Sequence, residues 1–90
     1  IKVNDKIMQT INKITEIIKR IELDMESNDI ITVESLAHEI KFLASQIDAI
    51  EIKDSAFRIE LAARRGKLDE IISYIDQIKS DVAIYNKSNI

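Results

Sequence analysis

The 90 residues contain no cysteine, no proline and no tryptophan, a single glycine, Gly66, and a single histidine, His38. Each scarcity excludes something. Without cysteine there is no disulfide framework and no thiolate metal site. Without proline almost nothing interrupts a helix, and no strand-like alternation is sustained anywhere. One glycine leaves no material for a Gly-rich phosphate loop or a nucleophile elbow, so neither a nucleotide cradle nor a serine or cysteine triad is expected. A lone histidine, with no H-E-x-x-H and no Glu-x-x-His pair, argues against a resident metal, and no cofactor is expected. The lysines and arginines are dispersed among acidic residues at a net charge of −3, which offers no basic stripe for nucleic acid. No stretch approaches the roughly 18 uncharged apolar residues of a membrane span, and no apolar signal region opens the chain. Direct membrane insertion is therefore not expected, and the cytoplasm is the default compartment.

What is present is apolar and charged in nearly helical rhythm, 46% hydrophobic and 32% charged. That composition argues against disorder and for one small all-α domain over residues 1–90. A chain opening on Ile1 instead of methionine is expected to be a module of a longer protein.

Four amphipathic segments follow, with helices expected at about 5–27, 30–47, 49–65 and 68–86. In the first, Ile7, Ile11, Ile14, Ile18, Ile21 and Met25 line one side, and Asn4 or Asp5 can cap its start. Asp29 is the expected N-cap of the second, whose stripe is Val33, Leu36, Ile40, Leu43 and Ile47. The third opens near Asp48 and Glu51, spaced like a capping box, and carries Ile52, Ala56, Ile59 and Ala63. Gly66 suits the left-handed position that ends it, just beyond the cations Arg64 and Arg65. Leu68, Ile71, Ile75, Ile78 and Val82 form the fourth stripe, and the terminal NKSNI is expected to fray. The spacing of the first stripe also suits a coiled coil, but short links joining four such helices predict an antiparallel up-down four-helix bundle.

His38 stands apart from these stripes. At about 100° per residue, Leu36, Ile40, Leu43 and Ile47 fall on the side of the second helix away from it, so it is expected to face solvent. Glu34 lies one turn before it, Lys41 and Phe42 one turn after, and Ile31 and Ser45 two turns to either side. Ile31, Glu34, Phe42 and Ser45 are the expected partner-docking surface. A second apolar face on the third helix, Ile50, Phe57 and Leu61, is expected to be buried between neighbours, with contact to a partner as the alternative. A neutral imidazole is a nucleophile near pH 7 and can accept a phosphoryl group on nitrogen. Lys41 would offset the added charge, and Glu34 would hold the other ring nitrogen. With no machinery of its own to activate a donor, such a helix is expected to depend on its donor's catalytic site and not to be an enzyme itself.

These residues resemble the histidine-containing phosphotransfer (HPt) domains of multistep two-component relays. The family carries A-H-x-[LI]-K-G-[SA] on the second helix of an antiparallel bundle, and Ala37-His38-Glu39-Ile40-Lys41 matches its first half. Asp29 meets the acidic residue nine positions before the histidine, and Ile59 to Leu68 loosely meets a later L-E-x-A-x-R-x-G-[DN]-L segment. The chain departs from the pattern at Phe42 and Asp48, where the family has glycine. The resemblance implies that His38 is the phosphoacceptor, with Lys41 as supporting charge. It implies exchange of phosphate with the aspartate of a receiver domain whose own Mg²⁺ assists the transfer. The chain would then be a monomeric module, free or part of a hybrid histidine kinase. Two alternatives stay open: an HPt-like domain that docks a receiver without being phosphorylated, and a structural or oligomerisation bundle.

Overall fold

The computed structural model describes the backbone of residues 2–89 and the side chains from Asp5 to Asn89. Four helices fill it: α1 (Lys2–Glu26), α2 (Ile30–Gln46), α3 (Ile50–Arg64) and α4 (Leu68–Asn89), with no strand among the described residues. Each helix packs on the next and α1 closes on α4, most extensively between α2 and α3 and most thinly between α1 and α4. Two ends differ from expectation. α1 already begins at Lys2, so Asp5 sits inside its first turn and does not cap it, while the Asn4 side chain lies outside the described residues. α4 stays helical through Asn89, whose side-chain amide donates to the Tyr85 carbonyl at 2.9 Å, so the expected fraying is not found up to that residue.

The three links are built alike. Asn28, Asp48 and Gly66 each adopt a left-handed conformation, at φ 58°, 54° and 68°. In each link the next residue's N–H reaches back to close the preceding helix: Asp29 to the Asp24 carbonyl at 2.8 Å, Ala49 to Ala44 at 2.9 Å and Lys67 to Ala62 at 2.9 Å. These are Schellman closures. The closing residue then starts the following helix, because its own carbonyl accepts the first bond from Val33, Lys53 or Ile71. Asp29 also caps α2 as expected, accepting from Thr32 N–H at 3.2 Å and from the Thr32 hydroxyl at 2.6 Å. Those bonds, the hydroxyl's first, hold its carboxyl below the ordinary value. Asp48 does not cap α3. Ala49 occupies the N-cap with no side-chain bond, because Asp48 is needed one position earlier as the left-handed residue that ends α2.

The core joins Ile11, Ile14, Ile18 and Ile21 of α1 to Val33 and Ile40 of α2, Ile52, Ala56 and Ile59 of α3, and Ile71, Ile75 and Ile78 of α4. Each fully buried isoleucine contributes roughly 1.5–3 kcal/mol over exposure. The inward line of α2 is Val33, Ala37, Ile40, Ala44 and Ile47, whereas Leu36 and Leu43 flank it half-buried. Ala37 and Ala44 on α2 and Ala56 and Ala63 on α3 are all buried, small residues on the two helices that pack most extensively. Leu68 is exposed instead of buried, and so are Ile50 and Phe57, so the second face of α3 is not covered as expected; only Leu61 is half-buried there. Polar bonds fasten the outer helices. The Tyr85 hydroxyl donates to the Ile47 carbonyl at 2.7 Å, satisfying a group that the end of α2 leaves free. Buried Ser55 and the Gln77 amide both donate to the buried Asp81 carboxylate, and Lys79 pairs with Glu22 across α1 and α4 at 2.7 Å.

Candidate functional site

The α2 spacing puts Glu34, His38, Lys41 and Ser45 along one face, and that face meets α3 at Phe57, Glu60 and Arg64. Glu60 is the centre of the arrangement. It follows Ala56 by one turn on the inward flank of α3, so its carboxylate emerges in the α2–α3 seam with only 7% of the side chain exposed. Oε2 lies 3.1 Å from His38 Nδ1, and Oε1 accepts from Lys41 Nζ at 2.8 Å. Arg64, one turn along α3, approaches Oε2 through a terminal nitrogen at 3.5 Å. Burial pushes the Glu60 carboxyl up, but hydrogen bonds from Lys41 and His38, together with their charges, more than offset this and hold it below its ordinary value.

An ionised carboxylate only accepts, so His38 Nδ1 carries the proton that it donates to Glu60. A neutral His38 ring then has its lone pair on Nε2. The side chain is 66% exposed, as its helical position predicts, and Nε2 has no hydrogen-bond partner among the described residues. The arrangement is a nucleophilic nitrogen in water, held at its far side by a buried anion. Among the described residues no group of three or more His, Asp or Glu side chains is placed to hold a metal ion.

The expected site residues separate into two sets. Ile31, Glu34 and His38 come together with Ser35 and Glu60 around one shallow depression. Phe42 and Ser45 do not line it: the Phe42 side chain is exposed, and the Ser45 hydroxyl donates to the Lys41 carbonyl of its own helix at 3.0 Å. Glu34 does not hold the imidazole. Its carboxylate accepts from Arg64 Nε at 2.9 Å, and Glu60 takes the role expected of it, because α3 brings that group to the ring from across the seam. Lys41 is not a free surface cation either. It is 24% exposed, bound to Glu60, and its ammonium lies 4.9 Å from the centre of the Phe57 ring.

Glu60, Arg64 and Phe57 are the residues sequence reasoning left out of the site. Glu60 does carry a sequence signal: one turn after Ala56, a carboxylate borders the α3 stripe of Ile59 and Ala63, and a charge at that edge needs partners if it is buried. No helix of the described residues is long and apolar enough to cross a membrane. Comparison with protein-family models, with curated proteins and with solved structures finds no match for this chain.

Proposed function

We propose that this chain is an HPt-type phosphocarrier, an antiparallel up-down bundle in which His38 Nε2 accepts a phosphoryl group from the aspartyl phosphate of a receiver domain and passes it to another receiver. The observation that carries this reading is the pairing of an exposed Nε2 with an Nδ1 fastened to buried Glu60. As Nε2 attacks, the Nε2–P bond forms, the P–O bond to the aspartate breaks, and that aspartate leaves as a carboxylate. The proton stays on Nδ1, so the ring becomes cationic, and the Glu60 carboxylate 3.1 Å away stabilises that charge. Glu60 thus serves as a positioning and charge-balancing group, while Mg²⁺ and the electrophilic assistance belong to the receiver.

One observation favours the docking-only reading. Phe42, 60% exposed, directly follows Lys41, where the resembling family leaves open space. Its ring can obstruct a receiver's loops or select among receivers. The experiment that separates the readings incubates the protein with a panel of phosphorylated receiver domains and looks for acid-labile, base-stable phosphate, with His38→Gln as control. Uptake that the control abolishes supports the carrier. Binding without uptake leaves only docking, and neither binding nor uptake, with self-association, favours a structural bundle.

A further inference from the structure

We infer that Arg64, and not Lys41, is the cation that receives the phosphoryl group on His38, and that it leaves Glu34 to do so. The inference rests on the carrier reading and assigns the cation within it. Both cations touch Glu60, but they are held very differently. Lys41 sits on Oε1 at 2.8 Å with a quarter of its side chain exposed and its ammonium against the Phe57 ring. Moving it strips a buried carboxylate of its closest partner. Arg64 is 58% exposed and shares Oε2 with His38 through the longest of the three Glu60 contacts, 3.5 Å. Its other bond, to Glu34, lies at a solvated rim where ion pairs are weak.

The charges point the same way. With His38 neutral, Glu34 and Glu60 balance Lys41 and Arg64. Phosphorylation adds a dianion and one ring cation to this balanced set, a net gain of one negative charge, so the cation held by the weaker contacts is the one free to turn to the phosphoryl group. A guanidinium offers a planar fork of donors suited to phosphate oxygens, and Glu34, bearing one charge on the same helix face as His38, competes poorly with a dianion for it. Glu34 also lines the depression next to His38 with Ile31 and Ser35. Its release therefore places an unpaired carboxylate at the rim only in the phosphorylated state, and a partner can read that change.

The test uses phosphoramidate as the donor. Its P–N bond breaks, ammonia departs, and the phosphoryl group bonds to Nε2 while the proton on Nδ1 remains. The phosphorus resonance of the modified protein is then titrated in the wild type, Arg64→Ala and Lys41→Met. The expected result, read over the pH range in which the P–N bond survives, is a midpoint of the phosphorus titration about one unit higher in Arg64→Ala than in wild type, with Lys41→Met close to wild type, and a Glu34 carboxyl carbon resonance that moves on phosphorylation. An Arg64→Ala titration that overlays wild type, or a displacement seen only in Lys41→Met, overturns the assignment of the cation and leaves the carrier intact. Wild-type protein that takes no phosphoryl group on His38 removes the carrier reading and this inference with it.

Discussion

Replacing Lys41 by methionine tests whether the Glu60 centre is a buried charge cluster or a surface contact. Methionine keeps much of the stem that lies along the seam, so the perturbation is mainly the loss of the ammonium. Removing one partner from a buried ion pair costs about 3–5 kcal/mol when the other charge is left uncompensated. Here His38 and Arg64 stay on Glu60 Oε2, so the expected loss is smaller, about 2 kcal/mol, or roughly 8–16 °C in midpoint for a domain of this size. The assay is thermal and urea unfolding followed by far-ultraviolet circular dichroism, a backbone signal that does not depend on tryptophan, which the chain lacks. The pH dependence supplies the sign. Glu60 has a folded pKa below its ordinary value of 4.5, so its contribution is complete above that value and is lost as pH falls through the folded pKa. The cost of Lys41→Met should therefore be largest near pH 7 and shrink in acid. Adding Glu60→Met should restore most of the loss, because a pair removed together leaves no buried orphan. A cost below about 0.5 kcal/mol at pH 7, or one unchanged in acid, would refute the reasoning and return Lys41 to the surface.

Three other substitutions address the links and the chemistry. Asp48→Gly should stabilise the fold by about 0.5–1 kcal/mol and Gly66→Ala should destabilise it by about 1–2 kcal/mol; nothing stands within 4 Å of an added Gly66 Cβ, so the second cost is purely conformational, and both are read from unfolding midpoints. Glu60→Gln keeps an acceptor for Nδ1 but removes the charge, so phosphoryl uptake by His38 should fall about 10-fold or more in a receiver-transfer assay; unchanged uptake would exclude charge balancing. Phe42→Ala should speed transfer from receivers that react poorly with wild type, and equal rates across the panel would show that the ring does not restrict approach.

Much of the fold was legible in the sequence because isoleucines at helical spacing and the SND and RRG punctuation report directly on local physics. The misreadings share a cause. Leu36 and Leu43 outrank Ala37 and Ala44 as apolar residues, yet the alanines take the fully buried line of α2 and the leucines flank it. Asp48 and Glu51 have capping-box spacing, but ending α2 needs a left-handed residue at position 48, and that requirement wins over the cap. Around His38, helical geometry on a single helix gave its exposure correctly and named Glu34 for the ring nitrogen, since nothing local says which residues of α3 face it. A search that tracked charged residues within apolar stripes would have reached Glu60.

Among the described residues, every side chain hydrogen-bonded to the imidazole or to the Glu60 carboxylate lies between Glu34 and Arg64, on two helices joined by a short link. The candidate site therefore belongs to one contiguous stretch of chain, and among the described residues α1 and α4 contribute no hydrogen bond to it. Such a stretch can be transplanted: set into another bundle that supplies apolar backing for Ile40, Ile52 and Ile59, it should carry the exposed imidazole and its buried Glu60 partner along, while the outer helices remain free to diversify.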